Sequence, residues 1–396
     1  MESLFLILLW IVVLYVGSGI IYSFFFALAS VFYKDKKYPY SDKNAKIGVF
    51  IPGYKEDVII YHVAKDALNQ EYNSDFYDVI IIADSFSEKT VAKLKTLPIK
   101  VIEVSFEKST KAKSLNKVMG MLGNVYDVAV VLDADNLMHK SYLSKINQAY
   151  QSGEIAIQGH RTAKNTNTDF ARLDALSEEI NNSIFRRGHF ALGLSSALIG
   201  SAMAFDYKTY RQIMSQIDVV SGFDKELEVQ LLKNNIRTAF IDGAIVLDEK
   251  VQSSEVFEKQ RTRWLAAQVN FALKYFFAGL WNLISKGKIG LFNKALQFAL
   301  LPRAFALASI VLLVVVNYLL GYDQLFKLSL GLFGLFVLAM FLAIPRKFYS
   351  TQMLRSLAFV PKAITKLLLS FLKIKKAKDS FIHTPHTHIE PENEEK

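Results

Sequence analysis

The sequence predicts a doubly wound α/β domain inserted between transmembrane helices. Three observations predict it. Short apolar, β-rich runs alternate with helical stretches in the middle of the chain; stretches toward both ends are too apolar for a soluble core; and carboxylates recur where the β-rich runs end. The runs are IGVFIP (47–52), DVIIIAD (78–84), KVIEV (100–104) and DVAVVLDAD (127–135). Helical patterns fall between them, near 57–70, 88–97, 111–122 and 141–151. Continuous apolar strands separated by helices indicate a parallel sheet covered on both faces. Right-handed crossovers wind such a chain to both sides. Ligands then bind beyond the carboxyl ends of the strands.

The apolar ends come next. Residues 3–33 contain no charged side chain. A cleavable signal would carry an early positive charge and a shorter apolar core, so a retained transmembrane helix over 1–33 is expected. Residues 295–345 read as two more spans, near 295–320 and 325–344. The link Gly321-Tyr322-Asp323-Gln324 is too short to hold a domain. Lys34, Lys36 and Lys37 follow the first span; Lys286, Lys288 and Lys294 precede the pair; Arg346 and Lys347 follow it. The positive-inside rule places all these flanks, and the domain over 46–264, in the cytoplasm of a multi-pass protein of the cell membrane. Arg303, just after Pro302, interrupts the second apolar run. It marks either the true start of the span or a functional charge within the membrane. Residues 265–294 mix basic residues with Leu, Phe and Trp, and residues 350–376 mix them with Leu, as interfacial amphipathic helices do. The tail over 377–396 is polar.

Composition narrows the chemistry. The 396 residues include no cysteine, which excludes disulfides, thiolate catalysis and cysteine-based metal centres. The net charge of +10 sits largely beside the apolar spans, and no zinc-finger or RNA-binding motif accompanies it. A nucleic-acid partner is therefore not expected.

Several polar groups fall where ligands of such a sheet bind. Asp133 and Asp135 stand two apart at the end of the most apolar run, so both point one way and can hold a hard divalent cation together with phosphates. Alone, such a pair is a weak signal in a chain with 37 acidic residues. Asp84 ends the second run, where it can meet a base or ribose, or simply cap a helix. Lys111 opens a helix continuing to Asn116, where a cation can meet a phosphate. Asp224 and Glu226 begin another helix; each is either a partner for the helix dipole or a general base for an acceptor hydroxyl. Gln260, Arg263 and Trp264 precede the aromatic segment. Arg clamps diphosphates and Trp offers a flat face to a sugar ring, although an interfacial Arg/Trp belt has the same composition.

Taken in order, this set resembles the family-two inverting glycosyltransferases with membrane helices, the group of cellulose, chitin, hyaluronan and poly-N-acetylglucosamine synthases. Pro52, Tyr54 and Glu56 look like the family's opening Pro-x-Tyr-Asn-Glu, with Lys55 where Asn is usual. Asp84 matches the acid at the uracil end of the donor, and Lys111 through Asn116 resemble Lys-Gly-x-Ala-Leu-Asn. Asp133 and Asp135 match the metal and diphosphate motif. Gly200-Ser201-Ala202-Met203 resembles the acceptor-side Gly-Thr-Gly-Met, and Gln260, Arg263 and Trp264 complete Gln-x-x-Arg-Trp. The catalytic Thr-Glu-Asp falls on Asp224 by an ungapped count back from Arg237, with Phe223 where Glu is usual and Glu226 held in reserve. Phe381, Thr384 and His386 resemble a gating loop, with His386 where Lys is usual.

The resemblance implies a GT-A fold and transfer of a sugar from a nucleotide diphosphate donor, with a leaning to UDP. It implies Mg²⁺ or Mn²⁺ as cofactor, Asp135 and Asp133 as its ligands, and donor contacts from Pro52, Tyr54, Glu56, Asp84, Lys111, Asp133, Gln260, Arg263 and Trp264. It implies acceptor contacts from Gly200, Ser201 and Trp264, and a growing polysaccharide at the membrane as acceptor. A single addition to a lipid is the alternative, and an inactive nucleotide-binding scaffold a more distant one. Three spans are few for a polymer channel, so a homo-oligomer or accessory secretion subunits enter the expected partners.

Overall fold

The computed structural model describes residues 2–219 and 221–372. Its centre is an eight-stranded sheet. The strands are β1 (Ile47–Tyr54), β2 (Tyr77–Asp84), β3 (Lys100–Val104), β4 (Val128–Val131), β5 (Leu137–Met138), β6 (Ala156–Ala163), β7 (Met203–Asp206) and β8 (Thr238–Asp248), in the order β3-β2-β1-β4-β7-β6-β8-β5. The four strands anticipated from sequence form the parallel half, β3-β2-β1-β4. The expectation of a wholly parallel sheet is corrected: β7 runs antiparallel to β4 and β6, and β5 antiparallel to β8. The reason lies in the connections. Helical crossovers return the chain parallel in the first half, whereas the second half inserts a short reversed strand, β7, between β4 and β6.

Strand residues alternate between two cores, as a period of two requires. Val49, Ile51, Val79, Ile81 and Val130 pack on one face; Phe50, Ile80, Ile82 and Val131 on the other. The run 127–135 does not remain extended to its end. Strand β4 stops at Val131, and the Asn136 amide donates to the Asp133 carbonyl at 3.2 Å, making a turn. The two aspartates therefore sit on a turn at the strand's carboxyl end.

Among the described residues, helices Ser3–Val31 and Asp323–Ala343 are long and apolar enough to cross a membrane. They pack on each other so closely that a Cβ at Gly17 would lie 2.9 Å from Leu332. The anticipated span over 295–320 is not one helix. It breaks at Leu300–Pro302 into Ile289–Ala299 and Arg303–Leu319, bent by 65°. Proline cannot continue the hydrogen-bond ladder and disfavours a helical residue before it. The segment expected to begin at 265 instead continues a 33-residue helix, Ser254–Lys286, that already carries Gln260, Arg263 and Trp264. Beyond it, Thr351–Leu357 and Val360–Leu372 are two short helices. A π-helical stretch, Asn182–Gly188, ties the sheet domain to the first helix, where His189 stacks on Phe26 at 3.7 Å between ring centroids.

Candidate active site

The strand ends β1, β2 and β4 meet along one edge of the sheet. Tyr54 and Asp84 lie side by side in register. Lys55 and Ser85, the residues that follow them, both adopt left-handed backbone, with φ of 56° and 60°. That conformation favours Gly and Asn, which explains why a lysine at 55 departs from the family pattern at a cost. Glu56 is buried just beyond. Asp84 is buried as well: its Oδ1 accepts from Ser85 Oγ at 3.0 Å, while Oδ2 has no partner among the described residues. A buried carboxylate oxygen without a donor is costly, and a ligand N–H or O–H would satisfy it.

At the end of β4, Asp133, Asp135 and Asp248 gather, with one carboxylate oxygen from each within 4.8 Å of the others. Asp248 comes from the end of β8, and Asn136 bridges it to Asp135 with bonds of 3.0 and 3.3 Å. The Glu249 amide donates to Asp135 Oδ2 at 2.8 Å, fixing that carboxylate. Three carboxylates of this spacing fit a hard, oxygen-seeking divalent cation. Positive charge surrounds them. Lys111 Nζ donates to Asp133 at 2.6 Å and to the Gly200 carbonyl at 2.8 Å. Arg161 reaches Asp133 at 3.5 Å, Asp248 at 3.3 Å, Glu178 at 2.8 Å and Ser201 Oγ at 3.2 Å. Lys250 pairs with both Glu178 and Asp248. Burial pushes the Asp248 carboxyl up, but Arg161 and Lys250 outweigh it and hold it below the ordinary carboxylate range.

The helix Ser254–Lys286 closes one side. Burial pulls the Arg263 guanidinium down while Asp133 acts on it in the opposite direction, so the two share the site electrostatically. Gln260 Oε1 is buried without a partner among the described residues. Trp264 is 40% exposed, and one face of its ring is covered by the Arg261 guanidinium at 4.5 Å, itself paired with Asp174 at 2.6 Å.

Gly200 has φ of 87° and Ala202 of 52°, the latter where the family pattern has glycine. Phe223 begins the helix Phe223–Lys233, 5.8 Å from Lys111 Nζ and within 3.9 Å of a Cβ built on Gly200. Asp224, next in the chain, is half-buried and acts electrostatically on the buried pair Glu228–Lys294. Glu226 is otherwise engaged, accepting from Tyr275 at 2.6 Å, Gln230 at 2.9 Å and Lys274 at 2.9 Å. Its carboxyl is held low by these donors against the opposing effect of burial. Phe381, Thr384 and His386 lie outside the described residues.

The structure thus brings Lys111, Asp133, Asp135, Gly200, Ser201 and Arg263 together, and adds Arg161, Glu178, Asp248 and Lys250, which the sequence reading passed over. Asp248 was within reach of that reading. It closes an apolar β-rich run, TAFIDGAIVLD, as Asp84 and Asp133 do. Arg161, Glu178 and Lys250 carry no such local signal.

Comparisons with known proteins bear on this arrangement. Residues 44–267, more than half the chain, match the family described as glycosyltransferase like family 2. The chain is 23% identical over 241 residues to a probable glycosyltransferase, YdaM, of Bacillus subtilis, covering 58% of this chain and 57% of that protein. It is likewise 23% identical over 275 residues to a beta-monoglucosyldiacylglycerol synthase of Trichormus variabilis, covering 67% of this chain and 57% of that one. It therefore spans little more than half the length of these curated relatives. Among solved structures, the mannosyltransferase PcManGT of Pyrobaculum calidifontis, in complex with GDP-Man and Mn²⁺, matches 94% of this chain and all of its own, with a TM-score of 0.59 at 12% identity, which shows a shared fold. With the strand-end carboxylates and this fold in hand, the family match decides the matter: the chain belongs to the glycosyltransferase like family 2.

Proposed function

We propose that this enzyme transfers a sugar, with inversion, from a nucleotide diphosphate donor to a lipid acceptor at the cytoplasmic face of a membrane. The observation that carries the donor half is the triad Asp133, Asp135 and Asp248 beside Lys111, Arg161 and Arg263. In this reading the nucleotide base lies toward Asp84, whose unpartnered Oδ2 accepts from it, and the sugar toward Gln260 and Trp264. A divalent cation held by Asp133, Asp135 and Asp248 would offset charge on the departing diphosphate. Lys111 and Arg161 pair with Asp133 and orient it, and Arg263 adds positive charge for the phosphates. Asp224 takes the proton of the acceptor hydroxyl as it attacks, while Gly200 and Ser201 border the acceptor.

The acceptor half rests on shape and surface. Helix Ser254–Lys286 leaves Leu273, Phe277, Trp281 and Ile284 each at least 66% exposed, an apolar stripe of the kind that lies in a bilayer interface. Two candidate spans, or three counting the bent pair, suit lipid modification better than a polymer channel. One of the curated relatives is named a beta-monoglucosyldiacylglycerol synthase. A growing polysaccharide is the second reading, favoured by the complete Gln-x-x-Arg-Trp signature at Gln260, Arg263 and Trp264.

The test is donor hydrolysis and transfer by protein in nanodiscs, with a panel of UDP- and GDP-sugars, Mg²⁺ or Mn²⁺, and sizing of the product. Nucleotide release that needs metal and is lost in Asp135→Ala, with a single sugar on lipid, is the expected result. A long glycan product would select the second reading. No release with any donor would overturn the catalytic assignment.

A further inference from the structure

Arg303 is not used by the chemistry above, yet its setting is unusual. Its Nη2 donates to the carbonyl and hydroxyl of Ser177 at 2.9 and 2.8 Å. Its Nη1 is buried with no hydrogen-bond partner, and no carboxylate lies within ion-pair distance among the described residues. The charged group acting on it is Arg261, a second cation. A guanidinium buried without a counter-ion is expensive anywhere, and more so beside membrane helices.

The surroundings point to what would balance it. Arg303 lines a small, partly open cleft between the first helix and the break in the bent pair. Gly19, Ser23 and Ala306 keep the walls low, and Phe336 and Tyr15 line its apolar side. At the break, carbonyls of the ending helix are satisfied: Tyr15 donates to Ala299 at 2.7 Å and Gln268 to Leu300 at 2.7 Å. The amides of the beginning helix, Arg303–Leu319, have no side-chain cap. The cleft thus presents one unused charged donor, Arg303 Nη1, at a helix start whose dipole favours negative charge.

From these features we infer that the cleft binds the phosphate group of an anionic membrane lipid, with Arg303 as its ligand and the lipid's chains along the apolar wall. The site adjoins the active centre through two elements. Ser177 precedes Glu178, which pairs with Arg161 and Lys250. Arg261 lies two residues before Arg263 in the helix that carries both. The inference rests on the membrane reading, which carbonate-resistant sedimentation tests by itself, and binding is read without turnover.

Native mass spectrometry of the full chain in detergent would compare phosphatidic acid, diacylglycerol of the same chains, and inorganic phosphate. One bound phosphatidic acid, at concentrations where diacylglycerol and inorganic phosphate do not bind, is the expected result. Arg303→Gln should weaken it roughly 10- to 100-fold, as for loss of a charge-assisted hydrogen bond. Gly19→Leu should weaken it too by filling the cleft while leaving Arg303 intact; a Cβ there meets only Leu300, at 3.7 Å. Equal binding of phosphatidic acid and diacylglycerol would overturn the inference, as would unchanged affinity in both folded variants. Inorganic phosphate binding as tightly as the lipid would assign the site to a soluble anion and overturn the lipid assignment.

Discussion

Lys250 is a cation shared by two buried carboxylates, Glu178 and Asp248. Lys250→Met keeps most of the side-chain volume and removes the charge. Breaking one side of a buried ion pair costs about 3–5 kcal/mol. Arg161 continues to hold both carboxylates, which puts the expected loss near the lower end, about 3 kcal/mol. At about 2–4 °C per kcal/mol for a large domain, Tm should fall by roughly 6–12 °C.

The pH dependence gives this prediction a second edge. Burial pushes the Glu178 and Asp248 carboxyls up, but Arg161 and Lys250 outweigh it and hold both below the ordinary range. A carboxylate depressed in this way stabilises the fold above its unfolded pKa of about 4, and loses that contribution as pH falls through the lower folded value. The gap between wild type and variant should therefore be widest at neutral pH and narrow in acid. Thermal unfolding followed by tryptophan fluorescence in detergent, at pH 7 and near pH 3, reads it. The double variant Lys250→Met/Glu178→Gln should recover much of the loss, because it removes a carboxylate along with its cation. A Tm within about 2 °C of wild type, or a double variant no better than the single one, would refute the reasoning.

Three further predictions follow from the site and its supports. Asp224→Asn should lower turnover by about 10²–10⁴-fold while sparing donor binding; turnover kept at the wild-type level would move the base to Glu226, which would first have to leave Tyr275 and Lys274. Lys55→Asn should raise stability by about 0.5–1 kcal/mol in a denaturant titration, because Asn tolerates the left-handed backbone at φ of 56° better than Lys; a loss of stability would contradict that account. Burial pulls the His160 imidazole down, but its bonds to Asp242 and Glu179 outweigh this and raise it to about 9. A raised histidine stabilises fully below its unfolded pKa of about 6.5 and loses that as pH rises through the folded value, so the Tm advantage of wild type over His160→Gln should decline between about pH 6.5 and 9, with roughly 3 kcal/mol at stake. An advantage that stays flat across that range would count against the ionised cluster.

What the sequence determined by itself was local. The helix 111–122 appears with the anticipated bounds, because its periodicity and its Thr110 cap are both short-range features. Strands β1 and β2 end where their apolar runs give way to Tyr54 and Asp84. The apolar helix beginning the chain and the one over Asp323–Ala343 follow from composition alone. The motif residues were legible as residue types in order, since spacing within each motif is only a few positions. Helix Ser254–Lys286 was legible only in its aromatic half, because its first turns are polar and carry no amphipathic signal of their own.

Tertiary structure decided the rest. It closed β4 early and put Asp133 and Asp135 on a turn, a choice that apolar propensity through Leu132 did not reveal. It inserted β7 antiparallel between β4 and β6, a pairing of strands far apart in the chain. It brought Asp248 to Asn136 across 112 positions, and Lys250 to Glu178 across 72. Side-chain periodicity reports which face of an element is buried, and it carries no information about which distant charge will be buried opposite. Ion partners such as Arg161 and Lys250 are chosen by the need to balance carboxylates once the sheet has taken them out of water, and that need exists only in the folded chain.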